Sequence, residues 1–554
     1  MCKEASGGTV DSGWRNVIFA DHPPNVYAPI GHAPCAGSLP RVPAKLQGKV
    51  ATAPPRPSRI LPVAVSELAS VVDAHLTTPT YAHVLVSGAT LRAQHVVPGD
   101  LFAALPGARA HGADFVEGAL AAGAAAVLTD EAGASRPALR DARVPVLVHP
   151  DPRGVLGLLA AHVYGYPSTK LAVWGITGTS GKTTTSYLVE SALRAAGHRT
   201  GLIGTVETRI AGERLDSAFT TPEAPDLQAL LAVMVEREVL DVVMEVSSHA
   251  LDLGRVAGTE FAIGAFTNLS QDHLDFHPDM EDYFRAKAQL FDGRARTEVV
   301  CVDGEWGRRL VTPDTVTVAM TTDASWTSGE VAVTATGEQS FTAYGPDGLE
   351  LPITLRLPGS FNVANALLAI GCLHAAGVAP ADIQEGLGAV QVPGRMQRVD
   401  EGQEFTAVVD YSHKPAAVAL ALDAVRKQVQ GRVITVLGCG GDRDTAKRPL
   451  MGEEAARRSD LLVVTDDNPR SEDPAAIRAA MLAGALAVPE GERGEVVEIG
   501  DRRAAIEHAV ANARPGDVVV VAGKGHETGQ EVAGVIQPFS DVDALAAAIR
   551  GART

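Results

Sequence analysis

Cysteine is scarce in this chain. The five present (Cys2, Cys35, Cys301, Cys372 and Cys439) are scattered, odd in number and in no C-x-x-C pair, which speaks against both a disulfide framework and a zinc site. They read as reduced, cytoplasmic thiols. Positive charge is also short, with 48 Lys and Arg against 66 Asp and Glu and a formal charge of −18. General binding to phosphate backbones or anionic membranes runs on a basic surplus that this chain lacks. Any anionic substrate must therefore be held by local basic pockets. No apolar run approaches the roughly 20 residues of a membrane span, and the first thirty residues lack the apolar stretch of a secretory signal. The expected setting is the cytoplasm, with neither nucleic acid nor membrane as partner.

The 554 residues have room for three or four domains, and 46% hydrophobic with 21% charged residues is a globular composition. Residues 1–58, rich in Pro, Gly and Ala and ending ATAPPRPSR, show no sustained periodicity and read as a disordered extension. From 59 to 168 short apolar strands alternate with helical stretches (HVLVSGATL, DLFAALPG, FVEGALAAGAAAVLTD, VPVLVHPDP), the pattern of a small α/β domain. Residues 169–394 form a second α/β unit. Between 331 and 357 its period becomes two, which predicts antiparallel hairpins added to its core. Residues 395–554 are a third, Rossmann-like unit with buried-strand candidates FTAVVD, RVITVLG, LLVVTD and DVVVVAG. No internal repeat and no strong linker separates these units.

The stretch WGITGTSGKTTT, 174–185, organises the rest. An apolar run enters it and a helical pattern, Lys182 to Ala196 stopped by Gly197, leaves it. Its glycines let backbone N–H groups point at oxyanions, the helix adds its positive end, Lys182 adds a full charge, and Thr183 supplies a hydroxyl for Mg²⁺. Gly175 lies six residues before Gly181 where G-x-x-x-x-G-K-[ST] needs five, so the match is to the variant GxTGTxGKT. An ordinary Gly/Ser/Thr turn is the bland alternative.

Further apolar runs (240–247, 261–266, 298–302) end in polar residues, as when the C-terminal ends of parallel strands line a site. Glu245 tips one of them. Asn268, Asp272, His273, Asp275 and His277 follow the next, and a carboxylate beside an imidazole near a nucleotide loop suits a metal. Lys287 lies on a helix whose other face is apolar, and Asn362 and Asn365 share one face of a later helix. In the third unit DYSHKP, GCGGDRDTAKRP, DDNPR and GKGHE each follow a strand, and four such ends along one sheet imply a cleft. Ser87, Gly88 and Thr90 carry turn chemistry suited to a polar ligand, which ordinary loops carry too.

Taken together, GITGTSGKTTT, TTPE (220–223), EVSSHAL (245–251), NLSQDHLD, YFRAKAQLF, PGSFNVANALLA, GRMQRV, VVDYSHKP, GCGGDRDTAKRPLMG, DDNPR and AGKGHE resemble the Mur ligase family over about residues 61–550. The resemblance implies three domains, binding in turn a UDP-sugar, ATP and an incoming amino acid. It points to the branch that joins diaminopimelate to UDP-N-acetylmuramoyl-L-alanyl-D-glutamate in peptidoglycan precursor synthesis, a cytoplasmic reaction releasing ADP and phosphate. A carboxylate is a poor electrophile, so ATP first phosphorylates it, and the acyl phosphate then accepts an amine.

By this resemblance Lys182, Glu245, His273 and Lys287 are the catalytic set. Gly178, Thr179, Ser180, Gly181, Lys182, Thr183 and Thr184 hold ATP, joined by Asn362, Asn365, Arg395 and Asp410. Thr183 and Glu245 serve one Mg²⁺ and His273 a second. Lys287 matches the family lysine carbamylated by CO₂; a carbamate is an anionic metal ligand where an ammonium would be repelled. Ser87, Thr220, Thr221, Ser247, Arg255 and Lys287 face the UDP-sugar dipeptide. Some relatives carry Gln where this chain has Leu253, so one hydrogen bond to substrate is missing or supplied elsewhere. Asp467, Asn468, Pro469 and Arg470 resemble the diaminopimelate signature, with Arg443, Gly523 and Glu527 as further contacts. A guanidinium fork binds the carboxylate that lysine lacks. The same charged groups serve the meso and LL isomers. A monomer is the expected state.

Rival readings are a folylpolyglutamate synthetase, whose pattern lacks the first domain and DNPR; a regulatory or motor ATPase, which makes no bond; and a silent binding protein, which has no use for Lys182, Glu245, His273 and Lys287 together.

Overall fold

Three sheets of five or more strands, each fed by buried apolar strands, carry the described residues, beside two two-stranded ones. The computed structural model describes residues 54–552 apart from residues 141, 216–219, 335–337 and 428, so most of the expected extension, residues 1–53, lies outside the described residues. The first sheet runs His75–Leu76, Val146–Val148, Ala126–Thr129, Asp100–Ala103, Gly88–Thr90, parallel except at its first edge. Successive side chains point to opposite faces, so Leu101, Leu128 and Leu147 pack with Leu156 and Leu159 of helix Pro152–Val163, while Phe102, Val127 and Val146 meet Val116 and Ala119 of Val116–Ala121.

The second sheet has 12 strands, with Ala172–Thr177 between Asp241–Glu245 and Phe261–Phe266 and parallel to both. Trp174 and Ile176 face helices Lys182–Ala195 and Ser360–Ala375, and Val173, Val242 and Met244 face Ala224–Glu236. The expected hairpin strands are present. Gln339–Tyr344 pairs antiparallel with Glu350–Leu355 and with Ala332–Val333, and their inward residues alternate, so they extend one edge of this same sheet.

The third sheet orders Gln397–Arg398, Thr406–Asp410, Val518–Ala522, Val433–Leu437, Leu461–Val464, Glu495–Glu498, the last five parallel. Helices cover both faces through separate apolar clusters. The strands from Thr406 and Val433 flank Val518–Ala522, the last strand of this sheet in chain order, and the carboxyl ends of strands at such a reversal of order are where an open sheet offers a binding crevice. No helix among the described residues is long and apolar enough to cross a membrane.

The last residues of the expected extension are tied down. The Arg56 guanidinium donates to both carboxylate oxygens of Asp100, one at 2.9 Å, and Asp100 is 1% exposed. The Ser58 and Arg59 amides donate to Glu236 at 2.9 and 2.7 Å, reaching the second unit's helix. A chain beginning at residue 60 should therefore melt at lower temperature than one beginning at residue 54. Removing one partner of a buried ion pair costs about 3 kcal/mol, the low end because Arg56 is partly exposed. Identical melting curves for the two chains would show that the Arg56–Asp100 pair contributes nothing.

Candidate active site

The strand Ala172–Thr177 delivers the turn Gly178–Gly181 into helix Lys182–Ala195. Gly178 and Gly181 have φ of 142° and 89°, and a Cβ at Gly178 would stand 1.9 Å from Thr267 Oγ1, at Gly181 2.3 Å from Asn365 Oδ1. Both positions therefore require glycine. Gly175 is not part of the turn. It lies inside the strand, where a Cβ would strike the Phe261 ring at 2.7 Å, which accounts for the odd spacing. The loop after Phe261–Phe266 braces the turn, with the Thr179 amide donating to Asn268 O (2.8 Å) and the Ser180 amide to Asn268 Oδ1 (3.1 Å).

Four cations gather here in a protein of net negative charge. Lys182 Nζ donates to Gly178 O and Thr179 O at 2.8 and 3.0 Å, and Lys287 Nζ donates to the same Gly178 carbonyl at 2.8 Å. Lys287 is 1% exposed, lies 4.6 Å from the centre of the Tyr283 ring, and pairs with no acid among the described residues. Burial, then the Lys182 charge, hold its amine well below the usual lysine range. Burial likewise brings Lys182 down to about 8 against the upward pull of Glu245. Lys414 and Arg395 of the third unit act on Lys182 as further positive neighbours. This is the local basic pocket that the composition demanded.

Glu245 ends the adjacent strand, 2% exposed, accepting from Thr183 Oγ1 (3.0 Å) and from Thr205 N and Oγ1 (2.8 and 3.0 Å). Hydroxyl and carboxylate together form a hard-oxygen pair of the kind Mg²⁺ takes beside phosphate. No group of three or more His, Cys, Asp and Glu placed to hold a metal occurs among the described residues. His273 has a left-handed backbone, φ 52°, and its ring packs edge-on to His249 at 4.9 Å. Burial lowers its pKa to about 4, leaving a neutral imidazole. Asp272 lies 3.2 Å from His273 Nε2 and forms an ion pair with Lys414. Burial pushes the Asp272 carboxyl up, but Lys414 and His273 outweigh it and hold the carboxyl below its ordinary range.

Asn362 and Asn365 do share one helix face, linked at 3.1 Å, with Asn365 against Gly181. Thr184 is buried in the first turn of its helix. The Asp410 carboxylate accepts from the Met396 amide (2.8 Å) and from Ser412, so it holds the turn that presents Arg395. Arg395 stacks 4.3 Å over Tyr411. Thr220 meets Thr205 at 3.0 Å, and Thr221 Oγ1 donates to Glu245 O and accepts from the Ser247 amide. Arg255 donates to Thr221 O and pairs with Glu223 at 2.9 Å. These four surround the carboxyl end of the Glu245 strand. Ser87 stays apart: its amide donates to Gly99 O, and it joins none of the other expected UDP-sugar residues by a hydrogen bond.

At the third sheet Asp467 and Asn468 are buried, and Arg470 again has a left-handed backbone, φ 54°. Two expected functional residues, His273 and Arg470, thus hold a conformation that L residues rarely adopt. Arg470 donates to Gly441 O (2.6 Å) and lies 3.5 Å from Glu531, 22% exposed, with N–H groups left over for a ligand. A Cβ at Gly440 would stand 2.9 Å from Arg470 Nη1 and 4.0 Å from Cγ of the exposed Arg443, so both arginines border this glycine, and one at Gly441 would strike Pro469 O at 2.0 Å. Gly523, φ 112°, leaves room for Asp467 Oδ2, which a Cβ would meet at 2.7 Å. Glu527 accepts from Asn468 Nδ2 at 2.8 Å. The two halves meet at Tyr411, whose hydroxyl burial pushes up and which feels Glu527, Asp467 and Arg470 as well as Arg395. Lys414, Thr205, Tyr283, Tyr411 and Lys524 were not singled out from the sequence. Lys414 and Tyr411 lie in DYSHKP and Lys524 in GKGHE, so position within a motif was the signal available; Thr205 lies in none.

The models for three parts of one family match this chain: Mur ligase family, catalytic domain at residues 85–164; Mur ligase middle domain at 176–373; and Mur ligase, glutamate ligase domain at 394–525. The UDP-N-acetylmuramoyl-L-alanyl-D-glutamate–2,6-diaminopimelate ligase of Streptomyces coelicolor is 55% identical over 504 residues, covering 90% of this chain and 98% of that protein. That of Corynebacterium efficiens is 55% identical over 459 residues, covering 81% and 87%. A solved structure of a ligase of the same name superposes with TM-score 0.66 at 30% identity, covering 89% of this chain and all of that one.

Proposed function

The chain belongs to the Mur ligase family, and from that premise we propose that it joins diaminopimelate to UDP-N-acetylmuramoyl-L-alanyl-D-glutamate with ATP, through an acyl phosphate. The observation that carries this reading is the meeting of two chemistries in one crevice. A turn lined by Lys182, Lys287 and Lys414 suits a triphosphate, and Arg470 with Asp467 and Glu527 suits a carboxylate beside an ammonium.

The dipeptide carboxylate attacks the γ-phosphorus of ATP, ADP leaves, and the resulting acyl phosphate is attacked by the amine, which loses a proton as phosphate departs. Lys182 and the amides of Gly181, Lys182 and Thr183 hold the β- and γ-phosphates, Lys182 exchanging the Gly178 and Thr179 carbonyls for phosphate oxygens, while the Thr179 and Ser180 amides stay on Asn268 and brace the turn. Arg395 and Lys414 reach the same phosphates from the third unit, so closing the crevice completes the charge that the moving phosphoryl group requires. Asn362 and Asn365 line the nucleotide side. Thr220, Thr221, Ser247 and Arg255 orient the dipeptide, with Ser87 toward the UDP end. Thr183 with Glu245 fits one Mg²⁺ and His273 a second, which when bound neutralise phosphate oxygens. Lys287 fits a carbamate: a buried amine free of its proton adds CO₂ and releases H⁺, and the carbamate places an anion among Lys182, Lys414 and the metal sites. Arg470 and Arg443 take the distal carboxylate, and Asp467 and Glu527 its ammonium, at the Gly523 turn. We read the enzyme as a cytosolic monomer. We take the three units to be residues 59–168, 169–394 and 395–554.

Purified enzyme with ATP, Mg²⁺ and the UDP-sugar dipeptide should release phosphate when meso- or LL-diaminopimelate is added and far less with L-lysine. Phosphate release that needs neither dipeptide nor amino acid would identify a plain ATPase and sink the reading.

A further inference from the structure

Lys524, beside Asn468 and Glu527, is fully buried, 0% exposed, and the proposed reaction gives it no task. Its ammonium donates to three acceptors: Asn468 Oδ1 at 3.0 Å, Glu527 Oε2 at 3.1 Å and the Gly529 carbonyl at 2.7 Å. All three of its N–H bonds are therefore used inside the protein. Asn468 Oδ1 also accepts from the Glu531 amide at 3.0 Å, so both lone pairs of that oxygen face donors. The amide is thereby fixed the other way round at its nitrogen, which donates to Glu527 Oε2 at 2.8 Å. Glu527 Oε2 in turn holds two donors, and the carboxylate can rotate no further without losing one of them.

We propose that Lys524 is a positioning residue for the amino-acid substrate. It pins the Asn468 amide and the Glu527 carboxylate so that Glu527 Oε1 and the remaining N–H of Asn468 are presented to the ammonium and carboxylate of the incoming diamino diacid. The strand pairing continues the same arrangement, since the Arg470 amide donates to Glu531 O and the Ala533 amide to Arg470 O. One buried ammonium thus sets the side chains of Asn468 and Glu527 and supports the segment against which Arg470 lies. A neutral residue of similar length would leave Asn468 Oδ1 and Glu527 Oε2 each short of a donor, with Oδ1 held by the Glu531 amide alone and Oε2 by the Asn468 amide alone. The inference rests on the reading of this crevice as the diaminopimelate site.

The test compares wild type with Lys524→Met and with Lys524→Gln, the second retaining an N–H donor so that the variant keeps its fold. Kinetic constants for diaminopimelate, ATP and the UDP-sugar dipeptide are measured separately, with melting curves alongside. The expected result is a diaminopimelate KM raised on the order of ten- to hundredfold in Lys524→Met and less in Lys524→Gln, because a buried acceptor left unpaired weakens binding by about that factor. The KM values for ATP and dipeptide should stay within about twofold, and the double variant Lys524→Met, Asn468→Ala should be no worse for diaminopimelate than the more severe single one. An unchanged diaminopimelate KM, or three KM values that move together with the melting temperature, overturns the proposal while the site reading stands. Wild type that fails to use diaminopimelate at all overturns both.

Discussion

Replacing Lys287 with alanine should reduce phosphate release by about a thousandfold with all substrates saturating, the scale seen when one charge-stabilising group is removed from a dry site. Added formate or acetate should recover part of that rate, because a small carboxylate can enter the space left by the side chain and supply the anion. The buried position of Lys287 argues for this pairing of loss and rescue. A buried amine that shares the Gly178 carbonyl with Lys182, and that pairs with no acid among the described residues, is poorly placed to stay charged, since burial and the Lys182 charge outweigh the pull of Asp272. Its lowered pKa raises the free-base fraction at neutral pH, and only the free base adds CO₂. Turnover unaltered in Lys287→Ala would remove this role. A loss that no carboxylate relieves would point instead to a purely cationic or structural lysine.

The second large effect concerns Arg470. Arg470→Ala should raise the diaminopimelate KM by roughly a hundredfold, corresponding to about 2–3 kcal/mol for one arm of a charge-assisted pair that is partly open to solvent. The KM for ATP should hardly move. Arg470→Lys should recover little, because an ammonium cannot reproduce two parallel N–H bonds to a carboxylate and the guanidinium is already held at Gly441 and Glu531. A diaminopimelate KM unchanged in Arg470→Ala, or wild type using lysine equally well, would place the specificity elsewhere.

Lys524, Lys287 and Arg470 together separate three layers of the same site. Variation at Lys287 is read in the chemical step, at Arg470 in direct recognition, and at Lys524 in recognition acting through Asn468 and Glu527. Distinct kinetic signatures are expected for each, and their coincidence would show that the crevice responds only as a unit.

Much of the molecule was legible in its residues. The strand Phe261–Phe266 and the helix starting at Lys182 stand where the apolar runs and glycines put them, because burial on both faces writes itself as continuous hydrophobic sequence. Short strands with weaker signals were not anticipated: Thr200–Ile203 contains a glycine, and Glu495–Glu498 is a half-exposed edge strand with acids at both ends. Proline, glycine and alanine content and missing periodicity, the grounds for expecting disorder up to residue 58, carry no information about Arg56 finding a buried carboxylate 44 residues away.

What the sequence determined by itself is what lies within a few residues along the chain: the glycines of the phosphate turn, the helix that follows it, and the side-chain types available for phosphate, metal and carboxylate. Only the tertiary structure decided how those groups are paired. Thr183 finds Glu245 62 residues on, Asn468 finds Lys524 after 56, and Asp272 finds Lys414 after 142. Such contacts depend on which strands lie side by side and on how the third sheet meets the second, and so on the burial of the whole chain rather than on any local run of residues.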